Sequence, residues 1–167
     1  VRAVRSLSDQ RADGGFCDGM SFLKDGVVLY APTDNRRQNF TLAHELGHWI
    51  VNQDTGFFDW IADQDEAPIL LESVCDRIAQ RLLLPEDLTA SIVGEGPVRA
   101  RQVQELFDSS LASYPACAIG IACHVRGLGA VVLIERWTKS VYHASIKPDL
   151  DDGWPKVFPW RGQVLQD

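Results

Sequence analysis

The residues whose types and spacing could do chemistry lie in the segment His44-Glu45-Leu46-Gly47-His48. In a helix, residues four apart share a face, so His44 and His48 present two imidazoles to the same point. Glu45 lies one residue further round the helix, within reach of a water molecule beside a metal. Two nitrogen ligands and a carboxylate base are what zinc-assisted hydrolysis requires, so this His-Glu-x-x-His pattern predicts a zinc hydrolase.

The surrounding sequence predicts that these groups lie on a buried helix from about Arg36 to about Asn52. The flanking residues are apolar nearly all round, as in a core helix. Titratable groups on a buried helix need partners, and a metal would supply them. The alternative is a chance match on a helix that carries core histidines.

A β-hairpin is predicted just before this helix, over Ser21–Tyr30. Its two apolar runs flank Asp25-Gly26, and glycine tolerates the positive φ of a tight hairpin turn. The residues that follow, 31–35, offer side chains that can cap the helix. An exposed strand edge beside a metal could bind an extended substrate by strand addition, or the hairpin could simply cover the helix.

A catalytic zinc site needs a third protein ligand and an open position. The longer motif with a third histidine requires glycine where this chain has Val51, and no histidine follows until His124. The third ligand must therefore be sought among carboxylates. The acids Asp63, Asp65 and Glu66 lie in a segment, residues 53–66, that we expect to be an acidic loop.

A second helix, predicted from Pro68 to Leu84, supplies better candidates. Glu72 and Asp76 are four residues apart and share a face. Glu72 could bind the metal while Asp76 accepts the other imidazole N–H of a ligand histidine, which would fix that ring. The alternative is a charged stripe that pairs with Arg77 or Arg81.

Two segments resemble the ImmA/IrrE family of metallopeptidases. They are Phe40–His48, with the sequence FTLAHELGH, and Glu72–Pro85, which is similar to the family pattern E-x-x-A-N-x-F-A-x-x-L-L-M-P. They lie within residues 36–85, about half of the chain. The departures from the pattern are conservative in size or role: Cys75, Asp76, Ile78 and Leu84.

The resemblance implies that His44, His48 and Glu72 bind the metal and that Glu45 is the general base. It also implies intracellular protein substrates, commonly helix-turn-helix repressors cleaved to switch on stress or mobile-element genes. Alternatives are a non-catalytic metal-binding regulatory module, or the peptidase half of a toxin–antitoxin or phage regulator. We expect Zn²⁺, although Mn²⁺ or another divalent ion could serve in the cell.

Composition limits the possible environments. The chain has 167 residues and a net charge of −7, which argues against a nucleic-acid-binding surface. Its apolar runs fall short of a membrane span, and its start has no signal-peptide apolar region. It begins at Val1, which is compatible with a trimmed or internal piece of a longer protein. Four scattered cysteines predict reduced thiols and a cytoplasmic location.

The second half predicts helices over Val98–Ser110 and Pro115–His124, then a hairpin whose strands are Gly129–Trp137 and Ser140–Ile146. A winged DNA-binding module has the same order, but the second helix is almost wholly apolar and offers nothing to read base edges. We therefore expect a core helix and no direct contact with nucleic acid. Residues 154–160, rich in Pro and Trp, predict an extended surface segment.

The predicted fold is α+β. An N-terminal sheet packs on the His-Glu-x-x-His helix and the Glu72 helix in a small zincin-like core, followed by a helical bundle and a C-terminal hairpin. The predicted domains are a lead-in over residues 1–16, a metallopeptidase core over 17–110, and an extension over 111–167 packed on that core.

The sequence leaves two questions open, the identity of a further electrophilic donor and the behaviour of Cys75. The tetrahedral intermediate of peptide hydrolysis needs a further electrophilic donor. Candidates are Tyr142, His143, His124 and the pair at 36 and 37, both arginines, and the sequence does not choose among them. Cys75 should lie close to the metal, but a buried cysteine on a helix face is usually inert.

Overall fold

The computed structural model describes residues 1–6, 19–33, 35–147 and 159–164, and in that part the chain is α+β. The described residues form six helices and two small sheets, which confirms the predicted fold class. The chain divides into two compact units, residues 1–83 and 84–167, and each is described by itself. The predicted boundary at 110/111 stays a prediction, and residues 84–110 belong to the second compact unit. Most of the predicted segment 154–160 lies outside the described residues.

A three-stranded sheet opens the first unit. Strand β1 is Ala3–Ser6, β2 is Gly19–Phe22 and β3 is Val27–Tyr30, in the order β1-β3-β2. The β2–β3 pair is antiparallel, which confirms the hairpin, but its connection has four residues, 23–26, and ends on Gly26 at φ 65.

Part of the predicted lead-in is structured, because β1 pairs with β3 in parallel. This pairing joins residues 24 apart in the chain, such as Ala3 and Val27. A pattern read over a short window gives no signal of a contact at that separation, so β1 was not predicted.

Three helices follow the sheet: α1 is Arg37–Gln53, α2 is Thr55–Ala62 and α3 is Ala67–Leu83. Helices α1 and α3 confirm the two long helices that the sequence predicts. The expected loop over residues 53–66 was wrong, because it contains α2. The Asp54 side chain accepts a hydrogen bond from the Phe57 N–H and so caps this short helix, whose Ile61 is buried.

The core of the first unit lies where α1, α2 and α3 meet. Val51, Ile61 and Cys75 are buried there, one from each helix. Four partly buried side chains of α3 pack around them: Leu70, Leu71, Val74 and Ile78. This core holds the two long helices side by side.

The second unit contains three helices and a hairpin. Helix α4 is Glu86–Val93, α5 is Ala100–Ser109 and α6 is Tyr114–Ala122. Most of α6 is buried, as expected of a core helix. Strands β4, Gly129–Ile134, and β5, Val141–Lys147, form the predicted antiparallel hairpin. None of the helices in the described ranges combines the length and the apolar character that crossing a membrane requires.

Candidate metal centre

The structure brings together the side-chain atoms of His44, His48 and Glu72. His44 Nε2 lies 3.1 Å from Glu72 Oε2 and 3.2 Å from His48 Nε2. His48 Nε2 lies 3.5 Å from Glu72 Oε1. All three ligand atoms fall within 4.8 Å of one another, and among the described residues this is the group that could hold a metal ion. The alternative acids of residues 53–66 are not part of it.

Close packing of α1 against α3 explains why these residues converge. His44 and His48 lie on one face of α1, and Glu72 projects from α3. Between the two histidines is Gly47, where an added Cβ would lie 3.1 Å from the Cα of Cys75 and 3.2 Å from its carbonyl oxygen. The missing side chain therefore lets the two helix backbones approach closely, which places Glu72 within reach of both imidazoles.

Asp76 of α3 contacts one of the two imidazole rings. His44 Nδ1 lies 2.8 Å from Asp76 Oδ1. A carboxylate oxygen accepts hydrogen bonds, so Nδ1 carries a proton and donates it. In the neutral ring this leaves His44 Nε2 as an acceptor that faces Glu72.

The donor set fits a divalent cation. The lone pairs of His44 Nε2 and Glu72 face each other at 3.1 Å, which is unfavourable unless a positive charge lies between them. A second proton on His44, at Nε2, would turn this contact into a hydrogen bond to Glu72, whereas a cation would satisfy all three atoms. Ligands of a tetrahedral zinc ion lie about 3.4 Å apart, close to the observed separations. Two imidazoles and one carboxylate also suit other first-row divalent ions.

Glu45 lies on α1 next to this group, with its side chain held against strand β2. The residue is only 8% exposed. An added Cβ at Gly19 would lie 2.9 Å from both Cγ and Oε1 of Glu45, and 2.5 Å from Thr41 Cγ2. Because Gly19 has no side chain, β2 can lie directly on this face of α1, and the Glu45 carboxylate has room beside it.

The pKa of the Cys75 thiol is affected by three nearby carboxylates. Burial, and then the charges of Glu72, Asp76 and Glu45, raise its pKa to about 12. All three carboxylates therefore lie near this one thiol. Cys75 is fully buried, and whether it is inert stays a prediction.

Of the candidates for the further electrophilic donor, Arg36 and Arg37 lie at the start of α1 in the first unit, and the other three lie in the second unit. Tyr142 and His143 are neighbours on β5, and His124 follows α6. The Nε2 atom of His143 lies 2.8 Å from Ser145 Oγ, and burial lowers the pKa of this imidazole. Burial raises the pKa of the Tyr142 hydroxyl. A role for any of the three in the reaction stays a prediction.

Two glycines shape the centre and were not predicted to do so. Gly47 stands inside a helix of 17 residues, where glycine weakens helix formation, and this position was a signal of close packing. Gly19 gave no comparable signal, because its importance depends on a contact with α1, more than twenty residues away in the chain.

Comparisons with known proteins agree with this geometry. The family model of peptidase M78, described as the IrrE N-terminal-like domain, matches residues 12–112. The chain is also 32% identical over 96 residues to the radiation response metalloprotease IrrE of Deinococcus radiodurans. That alignment covers 55% of this chain and 29% of the relative, so the chain corresponds to a minor part of that longer protein. The family match covers more than half of the chain, which therefore belongs to the peptidase M78 family of IrrE N-terminal-like domains.

Proposed function

We propose that this chain is a zinc-dependent endopeptidase that cleaves a helix-turn-helix transcriptional repressor in the bacterial cytoplasm. The observation that carries the proposal is the convergence of His44, His48 and Glu72; Glu45, the neighbour of His44 on α1, is buried. Membership of the M78 peptidase family supports the reaction class.

His44 Nε2, His48 Nε2 and a Glu72 oxygen would hold the ion, and Asp76 would orient the His44 ring. Three protein ligands leave a coordination position open, which is typical of catalytic zinc sites. A divalent ion in this position would lower the pKa of a water molecule and polarise a peptide carbonyl. Mn²⁺ is the alternative ion, because the same ligands accept it.

Glu45 would move the proton. Its carboxylate accepts the proton of the attacking water and returns it to the amine nitrogen that leaves when the peptide bond breaks. Strand β2 passes close to this carboxylate at Gly19, where an added Cβ would lie 2.9 Å from Oε1, and so limits the directions that the side chain can take. A flexible carboxylate would transfer the proton less efficiently.

Strand β2 supports binding of an extended substrate. Within the described residues β2 pairs with β3 and is an outer strand of its sheet. The same strand packs on α1 at Thr41 and Glu45. A peptide added to β2 would therefore run past the helix that carries the two histidines.

The repressor as substrate, and a role in a stress or mobile-element switch, rest on the family resemblance. The relative in Deinococcus radiodurans is described as a radiation response metalloprotease. A non-catalytic regulatory module, or the peptidase half of a toxin–antitoxin or phage regulator, is the rival proposal. The non-catalytic module differs from the two peptidase proposals in that the metal-loaded chain would leave protein uncleaved.

The decisive experiment incubates the metal-loaded chain with the helix-turn-helix repressor encoded beside its gene. We expect one defined cut, detected by mass spectrometry of the products. Glu45→Gln should retain the metal and lose at least about 100-fold in cleavage rate, because it removes the base. Glu66→Gln, a change of the same kind at an exposed acid, should cleave normally.

Two results would contradict the proposal. Native cleavage by Glu45→Gln would remove Glu45 from the reaction. A wild-type chain that carries its metal and leaves the repressor intact would favour the non-catalytic module.

A further inference from the structure

An open groove of about 1030 Å³ lies within the second unit. One wall is strand β4 and the other is residues 97–104, the start of α5 and the loop before it. All six residues of β4, from Gly129 to Ile134, line the groove. Successive residues of a strand point to opposite faces, so a groove that touches all six includes an edge of the strand, and Tyr114 of α6 and Tyr142 of β5 also line it.

This edge of β4 can accept another strand. Within the described residues β4 pairs only with β5, on its other side. In an antiparallel pair, every second residue of an outer strand directs its N–H and C=O groups away from the partner. Such an edge is a template for a further strand, and proteins commonly use it to bind extended peptides.

The charges along the groove are all positive. Arg99, Arg126 and Arg136 line it, and its lining contains no acidic residue, although the chain has a net charge of −7. Arg126 precedes β4 and Arg136 follows it. A strand of this length spans about 20 Å, so the two guanidinium groups flank a segment of about six residues.

Weak contacts hold these arginines and leave most of their N–H groups available. Arg126 Nη2 donates one hydrogen bond, of 2.9 Å, to the Glu95 carbonyl oxygen. The Arg136 guanidinium lies 5.1 Å from the centre of the Trp137 ring. Neither guanidinium forms an ion pair with a carboxylate in the part of the chain that the structure describes. Each retains donors for an incoming carboxylate.

We propose that this groove binds an extended acidic segment of a partner protein, which adds as a strand to the free edge of β4. Acidic side chains at both ends of the segment would pair with Arg126 and Arg136, and small or β-branched side chains between them would cover the partly exposed Val132 and Leu133. The proposal goes beyond peptide hydrolysis, because none of the metal-binding residues lines the groove.

A nucleic acid is the less suitable occupant. Much of the wall is aliphatic, including Val98 and Val103, and offers no phosphate ligand. Three separated arginines also fall short of the continuous basic surface with which proteins follow a phosphate backbone. A strand with acids only at its ends matches both the aliphatic centre and the spacing of the arginines.

The test measures binding of a fluorescent peptide to the full chain by anisotropy. The probe has about nine residues, with two glutamates at each end and alternating valine and threonine between them. It should bind at least about tenfold more tightly than the same peptide with lysines in place of the glutamates. Arg126→Glu combined with Arg136→Glu should weaken it at least about tenfold. Arg101→Glu, an exposed arginine outside the groove, should change binding less than about twofold.

The peptide itself tests the strand addition without any change to the protein. Methylation of alternate backbone nitrogens removes N–H donors and keeps every charge, so it should weaken binding at least about tenfold. Equal binding of the methylated peptide, or of the lysine peptide, would overturn the proposal. So would displacement of the probe by an equal concentration of single-stranded DNA. A dimer in sedimentation that is lost in the double arginine variant would instead assign the groove to a second copy of the chain.

Discussion

The candidate metal centre of the first unit gathers acceptor atoms, and the groove of the second unit gathers arginines. We call them the metal group and the arginine groove, and they differ in how far apart they place their side chains. In the first, three acceptor atoms crowd within 4.8 Å of one another. In the second, Arg126 and Arg136 stand at the two ends of a six-residue strand. Crowded acceptors are stabilised by one small cation, whereas separated cations fit a long partner with acids at the matching spacing.

The two regions also differ in how the backbone builds them. At the metal group, Gly47 lets α1 lie directly against α3. The distances between the ligand atoms depend on this close packing, so a substitution that shifts either helix would change them. At the groove, the binding element is the free edge of β4, whose N–H and C=O groups are present whatever its side chains are. Side-chain substitutions should therefore have severe effects at the metal group and graded effects at the groove.

The largest effect is expected from Glu72→Ala. This change removes the one ligand that α3 contributes and leaves two imidazoles on α1. Metal affinity should fall by more than about 100-fold, which exceeds the usual cost of losing a residue that supports a ligand. Elemental analysis after dialysis against a weak chelator measures the bound ion.

Glu66→Ala is the matched control, because it removes an exposed carboxylate from the same unit and should retain the metal. Full metal occupancy in Glu72→Ala would show that the ion is held elsewhere, and the contrast with the groove would then lose its basis.

A smaller effect is expected from Asp76→Ala. His44 Nδ1 would lose its acceptor at 2.8 Å, and the ring would be free to turn. Metal affinity should fall by roughly 10- to 100-fold. Asp76→Asn retains an oxygen that accepts the same hydrogen bond, so it should recover most of the affinity. If the two variants bind metal equally, the hydrogen bond to His44 does not orient the ring.

Gly19→Ala tests the position of Glu45 and leaves the ligands unchanged. The added methyl would lie 2.9 Å from Glu45 Oε1, so the carboxylate must move. The kcat for the repressor should fall about tenfold while the metal content stays complete. Met20→Ala, at an exposed position of the same strand, should have little effect on kcat. A parallel loss of metal in Gly19→Ala would mean that β2 supports the ligands and not the base.

The helices of the first unit show what local patterns can and cannot predict. Helices α1 and α3 are long and periodic, and the spacings of His44 with His48 and of Glu72 with Asp76 placed each pair on one face. Helix α2 was taken for a loop, since its acids and exposed aromatics resemble a solvated segment. Its cap by Asp54 and its single buried Ile61 are signals too short to separate a helix of eight residues from a turn.

The site was predictable where chemistry fixes residue types, and not where packing fixes distances. The sequence predicts which residues could bind a metal because few side chains can do so. It gave no indication of the contact between Gly19 and Glu45, since nothing local records which strand lies on which helix. The groove was not predicted for the same reason, because its arginines are separated by up to 37 positions in the sequence and only the packing of the second unit brings them to one groove.

The smallest expected effect is that of salt, which should weaken peptide binding in the groove more than metal binding at the metal group. Raising NaCl from about 50 mM to about 500 mM shortens the screening length from about 14 Å to about 4 Å. The exposed arginines of the groove should then bind the glutamate-ended peptide about fivefold more weakly. Metal affinity, measured by competition with a chelator at both salt concentrations, should change less than about twofold, because ligand atoms contact an ion at about 2 Å, well inside the screening length. Peptide binding that resists salt would mean that strand pairing, and not Arg126 and Arg136, dominates in the groove.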